Sequence, residues 1–491
     1  MKKFILLILI VALTAAFILS CAADGDGGQP DSPVLSGEET PASEEDAETA
    51  EEYETLVFPD LPDVDFEGYD FRIISTVGQG HLLSTLIVEE ETGVPLDDAI
   101  FRRNRRMEER FGFNLVLIDV PNPETARDRA RLFARAGTDD FDMAMMEPAH
   151  AIALAQDGLL EMIDNIPHID LSQPWWDQDM NSNFSIGGRI LFTVSDFSFN
   201  QYSVTMGILF NKQLHADLAL DDPYQLVRDG KWTMETFARQ ARAGQRDLTG
   251  TNVFDHNDQW GFVAPYHVYT PAFIIGMGEM HVIKDEYDMP VLNMNTPGFI
   301  NSFLTLFDMI AEGWHWDPWR EGIGEPADMF LNNRTLFWSD LLNWAVRLRA
   351  MDTDFGILPM PKLNEQQPYH ISEGAFPHVM TIPTTTSDFE RTGIILEALS
   401  AESRITTLNI YLDTMLVNQV LNRDEESGEM LDIIFSNRVY DMGKLFWRDI
   451  TTGPIAAAMR NNNRDIVSVI ERNERLAERA IERTIGAFLG D

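Results

Sequence analysis

The chain has 491 residues, with 37 Lys and Arg against 79 Asp and Glu, so its formal charge is −42. This excess repels phosphate backbones, which excludes DNA and RNA as partners, and it opposes docking on an anionic membrane through a basic patch. The length predicts two or three domain-sized units, and 44 % apolar residues supply material for a real core.

The N-terminus has the layout of an export signal. Lys2 and Lys3 precede an apolar run at 4–19, and Ser20 and Cys21 follow, which is typical of a secretory signal peptide over 1–20. The segment 18–21 resembles a bacterial lipobox, which implies that Cys21 takes a lipid and anchors the protein to the membrane. The alternative is an uncleaved membrane anchor, for which the run is short.

Cys21 is the single cysteine of the chain. An intrachain disulfide, a cysteine zinc site and a cysteine nucleophile in the globular part are therefore excluded. Between Ala22 and Asp70 there are 17 acidic residues and no Lys or Arg, so we expect 21–67 to be the lipidated cysteine followed by a disordered acidic tether. The part from Phe71 onward carries 35 basic and 62 acidic residues.

After the tether, short apolar runs alternate with amphipathic segments. The patterns predict strands at 71–76, 114–120 and 141–146, and helices at 94–111, 124–136 and 149–156. The helix at 94–111 carries Pro95 in its first turn, acidic residues near its start and Gly112 after its end. The alternation favours a parallel sheet of the α/β class.

The middle of the chain is less regular. We expect a hairpin edge at 187–194, a strand at 205–210, and a region dominated by helices from there to about residue 358. Two strands at 355–361 and 378–383 follow, then a helix at 390–421. The last 30 residues predict an amphipathic helix whose apolar face includes Ile466, Ile470, Ile481 and Phe488.

Common catalytic motifs are absent from the sequence. There is no His-Glu-x-x-His, no Gly-x-x-x-x-Gly-Lys-Ser/Thr and no Gly-x-Ser-x-Gly. The ten histidines include no pair at i, i+4, which argues against a histidine zinc site. No cofactor is expected, and an enzyme is the second hypothesis, because two carboxylates of a glycosidase can meet in space without a sequence signature.

Five segments in order resemble extracellular solute-binding proteins, family 1, the sugar-type receptors of bacterial ABC importers related to maltodextrin-binding proteins. The segments are Glu90-Glu-Thr-Gly through Glu109-Arg-Phe-Gly112, Phe141-Asp-Met-Ala-Met-Met146 with Gly158-Leu-Leu-Glu-Met-Ile163, Gly207-Ile-Leu-Phe-Asn-Lys212, Pro223 to Thr233 with Gly230-Lys-Trp-Thr, and Phe355-Gly-Ile-Leu-Pro-Met-Pro-Lys362. The resemblance spans about 68–491.

The resemblance implies a periplasmic-binding-protein-like type II fold, with two α/β lobes joined by crossing hinge segments and a solute held between them. We expect lobe one at 68–205 plus 380–420, and lobe two at 206–379 plus 421–491. Closure of the hinge around the solute is the expected mechanism.

Aromatic and carboxylate residues are the candidates for solute contact, because sugar rings stack on aromatic planes and carboxylates bind hydroxyl groups. The resemblance places Trp338 in a sugar-stacking region, Tyr266 in a Glu-Pro-Tyr element whose acid is replaced here by Ala264, and Trp447 at a third aromatic position. The replacement argues against maltodextrin itself. Asp340 is a further candidate. For Trp338, Trp447 and the paired Trp175 and Trp176, core packing is the competing interpretation.

Glu147 and His150 are candidates for a different reason. Both follow the strand predicted at 141–146, and open α/β sheets bind ligands at the carboxyl ends of their strands.

The segment 247–258 has the spacing of a calcium loop. Its candidate ligands are Asp247, Thr249, Thr251, the Val253 carbonyl, Asp255 and Asp258. Threonines replace acids at the third and fifth positions, Asn252 replaces glycine at the sixth, and Asp258 replaces glutamate at the twelfth. Two interpretations stay open: a structural Ca²⁺ site, and a loop closed by hydrogen bonds alone.

The sequence thus favours a lipid-anchored, extracytoplasmic receptor that captures a sugar or oligosaccharide and presents it to ABC permease subunits, without chemistry of its own. We expect a monomer. The alternatives are a receptor for a non-sugar solute, such as a peptide or polyamine, and a secreted carbohydrate-active enzyme.

Overall fold

The computed structural model describes residues 58–76, 86–348, 351–412 and 425–490. The signal peptide, Cys21 and the tether up to residue 57 lie outside the described residues, as does the end of the helix predicted at 390–421. The strands are β1 Tyr69–Thr76, β2 Phe113–Val120, β3 Met143–Met146, β4 Met206–Asn211, β5 Trp260–Val263, β6 Val282–Lys284, β7 Pro290–Leu292, β8 His315–Trp316, β9 Thr335–Leu341, β10 Phe355–Leu358, β11 Ser372–Glu373, β12 Val379–Thr381 and β13 Arg438–Val439.

Helices connect and cover these strands. They are α1 Pro95–Phe111, α2 Pro123–Ala136, α3 Pro148–Ala155, α4 Gln178–Phe184, α5 Asn200–Ser203, α6 Lys212–Asp217, α7 Pro223–Arg228, α8 Met234–Ala243, α9 Tyr266–Gly276, α10 Pro297–Ile310, α11 Pro318–Glu321, α12 Pro326–Leu331, α13 Trp344–Arg347, α14 Phe389–Ser403, α15 Asn409–Tyr411, α16 Glu425–Ser436, α17 Met442–Trp447, α18 Thr452–Arg460 and α19 Ile466–Leu489. Short 3₁₀ helices lie at Ile163–Asn165 and Arg448–Ile450, and a π-helical segment lies at Arg404–Leu408.

The first sheet has the strand order β12-β3-β1-β2. β1 runs parallel to both β2 and β3, and β12 joins β3 in the antiparallel direction. The predicted alternation of strands and helices over 71–156 is confirmed. Helix α1 begins at Pro95 and ends before Gly112, whose φ of 63° is the left-handed conformation expected of a C-terminal glycine.

The second sheet has the strand order β10-β4-β9-β5-β8. β4 is antiparallel to β9 and β10, whereas β5 is parallel to β9 and β8. We call the residues packed around the first sheet the first lobe and those around the second sheet the second lobe.

One expectation for the middle of the chain is confirmed, and another needs correction. Helices outnumber strands in the region 213–358, as expected, but the region also contains the central strands β9 and β5, which the sequence did not predict. All four residues of β5 and six of seven in β9 are buried, and a short run buried on both faces shows no alternation that separates a strand from a helix. The hairpin edge predicted at 187–194 is a tight turn with isolated bridges, Ile186 to Arg189 and Thr193 to Met380.

Three segments lie side by side where the sheets meet. The Met380 amide donates to the Thr193 carbonyl at 2.8 Å, and the Ala375 amide donates to the Val204 carbonyl at 2.9 Å. On the other side the Gly374 amide donates to the Val439 carbonyl at 2.9 Å. The chain between β10 and β12 therefore runs between the segment before β4 and strand β13, as expected of connections between two lobes.

A buried ion pair ties this region to the first lobe. The Arg438 guanidinium lies 2.6 Å from Asp177, and both side chains are at most 6 % exposed. The Tyr440 hydroxyl donates to the same carboxylate at 2.9 Å, and the Met180 amide at the start of α4 donates to its other oxygen. Asp177 thus fixes β13 against α4.

The C-terminal helix α19 is amphipathic, as predicted, and its buried face spans two clusters. Ile466 and Ile470 pack with residues of the second lobe, whereas Ile481 and Phe488 pack with residues of the first. The lobe boundaries stay a prediction. No helix among the described residues has the length and hydropathy required to cross a membrane.

Candidate functional site

A small cavity lies at the carboxyl end of β3, where the sheet rule predicts a ligand. It measures about 20 Å³, which is room for about one water molecule. Its wall is formed by Glu147, Pro148, Ala149, Ala375, Phe376, Lys444, Leu445 and Arg448. Glu147 precedes α3, the two residues from 375 belong to the connection before β12, and the last three belong to α17 and the 3₁₀ turn after it.

Lys444 is the central cation of this wall. Its side chain is 4 % exposed and pairs with the fully buried Glu373 carboxylate. Its ammonium also lies 5.0 Å from the centre of the Phe376 ring. Because both charges are buried, removal of either partner leaves the other uncompensated, so Glu373 holds Lys444 in its place in the wall.

His150 lies one turn beyond Glu147 and is not part of the cavity wall. Its Nδ1 is 3.4 Å from the Arg127 guanidinium, and its Nε2 is 3.9 Å from Glu124. Burial lowers the pKa of His150 below its usual value, so the imidazole is neutral near pH 7. Glu147 and His150 are therefore neighbours, but only Glu147 reaches the cavity.

Trp338 and Asp340 lie on β9 and contact each other. The Trp338 indole N–H donates to Asp340 at 3.2 Å, and the Leu341 amide donates to the same carboxyl at 2.8 Å. Burial raises the pKa of Asp340 to about 6, while the charge of Lys444 acts in the opposite direction. Trp338 is fully buried against Phe330, so it offers no open face to a solute in this conformation.

Trp175 and Trp176 share one acceptor. Their indole N–H groups donate to the Glu397 carboxylate at 3.1 and 2.9 Å. Burial raises the pKa of Glu397 to about 7. These two hydrogen bonds hold the loop before α4 against helix α14. The arrangement corresponds to core packing, the interpretation that the sequence left open beside solute contact.

Trp447 follows the cavity residues Lys444 and Leu445 but points elsewhere. Its indole N–H donates to the Thr484 hydroxyl of α19 at 3.3 Å. It is 6 % exposed. Solute contact by Trp447, Trp338, Trp175 and Trp176 stays a prediction that requires these side chains to become accessible.

Tyr266 begins helix α9 and lies in the second lobe. The Arg460 guanidinium is 5.3 Å from its ring centre, and its amide donates to Asp317 at 3.0 Å. Burial, and to a lesser extent the charges of Lys444 and Arg448, lowers the pKa of the next residue, His267, to about 4. The sequence-predicted Tyr266 is not one of the residues that line the cavity.

Of the eight residues of the wall the sequence predicted only Glu147, and the polar and aromatic residues that it missed are Phe376, Lys444 and Arg448. The available signal was charge, because basic residues flanking Trp447 stand out in a chain with twice as many acids as bases. Phe376 had no signal, because its position depends on how the connection before β12 lies against α17.

The loop 247–258 is closed by its own hydrogen bonds. Asp247 accepts from the amides of Gly250 and Asn252 at 2.6 and 2.9 Å. Asp258 accepts from Leu248, Thr249 and Asp255 at 2.8, 3.1 and 3.0 Å. Thr251 bonds the Val253 carbonyl. No group of three or more His, Cys, Asp or Glu side chains within the described ranges is arranged to hold a metal. Calcium binding at this loop stays a prediction.

No protein-family model matches the chain, and no curated protein matches it. Solved structures do. The sugar-binding protein MalE from Xanthomonas citri is 12 % identical, with a TM-score of 0.57 over 84 % of this chain and 97 % of that chain. A cyclo/maltodextrin-binding protein complexed with maltotetraose is 13 % identical, with a TM-score of 0.55 over 87 % and 98 %.

A third similar structure is UgpB from Mycobacterium tuberculosis in complex with glycerophosphocholine, 15 % identical, with a TM-score of 0.55 over 85 % of this chain and 99 % of that chain. The identities are low, and it is the TM-scores over most of each chain that show the fold. The chain has the periplasmic-binding-protein type II fold, as the sequence resemblance predicted.

Proposed function

We propose that the chain is the solute-capturing receptor of an ABC importer and binds a sugar or oligosaccharide between its two lobes. The observation that supports this most strongly is the similarity of the fold along nearly the whole length of solved solute-binding proteins, including those with maltose-type ligands. The cavity at the carboxyl end of β3 supports the proposal, because open α/β sheets bind ligands at this edge.

Solute entry requires the walls to separate. A cavity of about 20 Å³ holds about one water, whereas a sugar ring needs several times that volume. The paired connections 193–206 and 372–381 are where such a hinge motion would be absorbed.

The charges of the wall nearly cancel, which favours a neutral solute over a polycation. Lys444 is already paired with Glu373, and Arg448 stands against Glu147. A polyamine would meet one carboxylate, Glu147, with the Arg448 guanidinium in the same wall. A solute with a phosphate group, like the glycerophosphocholine bound by UgpB, is the second candidate, because guanidinium and ammonium groups bind phosphate oxygens.

We further propose that the protein acts without chemistry of its own, outside the cytoplasm, held by a lipid on Cys21, and that permease subunits receive the solute. The sequence features of residues 1–21 support this placement. A mass spectrum of the membrane-extracted protein tests it: an acylated N-terminal Cys21 is expected, and Cys21→Ser should abolish membrane retention.

A thermal-shift panel tests the capture function. Maltose, maltotetraose, α-D-tagatose, glycerophosphocholine, spermidine and a tripeptide are each added to the purified protein. One ligand class should raise Tm, because binding to the folded state alone stabilises it, and chromatography should recover the ligand unchanged. Hydrolysis of an oligosaccharide would contradict the proposal and support the carbohydrate-active enzyme.

A further inference from the structure

A further cavity, which we call the second-lobe cavity, lies among α9, α10, β8, α11 and the end of α18. It measures about 50 Å³, more than twice the volume of the cavity at β3, and the two cavities share no lining residue. At roughly 10–15 Å³ for each water-sized group, it has room for about three to five such groups. This volume suits a small substituent, such as a carboxymethyl group, rather than a whole sugar ring.

The inner wall of the second-lobe cavity is buried and largely apolar. Phe307 of α10 and Met459 of α18 are 6 % and 4 % exposed, and both line it together with the buried Tyr269. The His315 ring lies against Tyr269, with ring centres 4.7 Å apart. Nε2 of His315 donates to the Ala264 carbonyl at 2.9 Å, because a carbonyl only accepts. Burial lowers the pKa of His315 to about 4, so this ring brings no charge to the wall near pH 7.

Two arginines form the exposed rim of the second-lobe cavity. Arg320 of α11 and Arg460, the last residue of α18, both line it, and both are exposed. Arg320 has an ion partner in the exposed Glu321 at 3.6 Å, and an exposed pair of this kind contributes little. Arg460 forms no ion pair within the part of the chain that the structure describes. Its guanidinium lies over the Tyr266 ring, 5.3 Å from the ring centre, so its N–H donors are available to a ligand.

The one carboxylate in the lining, Asp317, is engaged by the main chain. One of its oxygens accepts from the amides of Trp319 and Arg320 at 3.0 and 3.1 Å, and the other accepts from the Tyr266 amide at 3.0 Å. Asp317 is 5 % exposed, and burial raises its pKa. Two guanidinium groups therefore stand against one carboxylate whose oxygens already have donors. The lining attracts an anion and opposes a cation, in a chain whose overall charge is strongly negative.

We propose that the second-lobe cavity binds a small carboxylate group, held at the rim by Arg320 and Arg460, with its adjoining carbon atoms against Phe307 and Met459. Guanidinium groups bind carboxylates through paired N–H donors, and exposed arginines can turn toward a ligand. The apolar wall favours a carboxylate on a carbon stem over inorganic phosphate, whose oxygens all require polar partners. The carboxylate belongs either to a short-chain acid or to a larger acidic solute, such as a sugar acid.

Defined salts test the site and its ligand class. Acetate, propionate, glucuronate and inorganic phosphate are each added as sodium salts, against sodium chloride at equal ionic strength. Propionate and acetate should raise Tm above the chloride level and bind saturably in calorimetry, because binding to the folded state alone stabilises it. Tighter binding of glucuronate than of propionate would identify a larger acidic solute as the source of the carboxylate, and the reverse order a short-chain acid.

Arginine variants locate the binding. Arg320→Gln and Arg460→Gln should each raise the Kd of propionate about five- to tenfold, which is the loss of one charge-assisted contact at an exposed rim. Arg464→Gln is the matched control, because Arg464 follows Arg460 by four residues, is not part of the lining, and bonds Asp308 through two nitrogens at 2.9 Å each. It removes the same charge nearby and should leave the Kd unchanged.

A methyl signal reads the apolar wall directly. In protein labelled with ¹³C at the methionine methyl groups, the signal that Met459→Leu removes should shift as propionate is added. An equal rise in Tm with every salt, binding of phosphate but not of the carboxylates, or an unchanged Kd in both Arg320→Gln and Arg460→Gln would overturn the proposal. Circular dichroism and Tm of each variant without ligand establish that a loss of affinity is not a loss of fold.

Discussion

Glu397 shows how one buried carboxyl group organises two large side chains. Its two oxygens accept the indole N–H groups of Trp175 and Trp176. Burial raises its pKa to about 7, above the unfolded value, so the folded state binds the proton more tightly. The stability that this group contributes is fully present below the unfolded pKa and is lost as the pH rises through about 7.

Glu397→Gln should remove that dependence, because the amide is neutral at every pH and keeps an acceptor oxygen for one indole. We expect the unsubstituted protein to lose stability relative to Glu397→Gln between pH 5 and 8. Urea unfolding of both proteins at several pH values measures the difference. A constant difference would show that Glu397 does not titrate in this range.

The Arg438–Asp177 pair makes a second prediction at this scale. Arg438→Met leaves Asp177 buried without a cation and should cost about 3–5 kcal/mol of the free energy of unfolding. Asp177→Asn with Arg438→Met should recover part of that loss, since the asparagine oxygen keeps the cap of α4. Chemical unfolding of the single and double variants gives the coupling; strictly additive losses would contradict a direct interaction.

For the loop 247–258, sequence and structure together leave two interpretations open, a structural Ca²⁺ site and a loop closed by hydrogen bonds alone. Asp258→Ala removes the acceptor of three amides and should lower the free energy of unfolding by about 1–3 kcal/mol.

Addition of calcium distinguishes a Ca²⁺ site from a loop closed by hydrogen bonds alone. A rise in Tm with Ca²⁺ over EDTA that Asp247→Asn abolishes would establish the metal site, and an unchanged Tm would leave the hydrogen-bonded loop.

Helices and strands were predictable from the sequence where several signals within a few residues agree. Helix α1 carries Pro95 at its start, acids in its first turn and Gly112 after its end, and each of these acts within a few residues. Strands β5 and β9 were missed because burial on both faces erases the alternation. A sequence cannot supply the tertiary contacts that make such a segment a strand.

The site was only partly predictable for a related reason. Glu147 could be found because the end of a strand is visible in the sequence. The tryptophans could not be ranked, because burial decides which of them offers a face. Trp316 on β8 is 8 % exposed, whereas Trp319 on α11 is 58 % exposed. Lys444 and Phe376 are in contact although about 70 residues separate them in the chain, and the sequence alone does not show such a contact.

For the whole molecule, buried carboxyl groups and histidines have opposite effects on stability as the pH changes, and together they predict a pH of maximum stability. Asp196 and Glu397 have pKa values raised by burial to about 7, so stability rises as pH falls toward 6.5. Four histidines, His267, His315, His370 and His378, have pKa values lowered by burial to about 4, and they cost stability below the unfolded histidine value of about 6.5.

Tm should therefore peak near about pH 6–6.5 and fall on both sides. Differential scanning fluorimetry across pH 4.5–8.5 at constant ionic strength measures this profile. A Tm that rises steadily from pH 6 to 8.5 would mean that the raised carboxyl groups are not buried as the fold places them.

Capture of a solute between two lobes is the central claim, and isothermal titration calorimetry tests it most directly. The purified protein is titrated with the panel sugars and with glycerophosphocholine. The account predicts saturable binding of one ligand class at one site per chain, with the ligand recovered intact. Absence of binding across the panel, or conversion of the ligand during the titration, would contradict it.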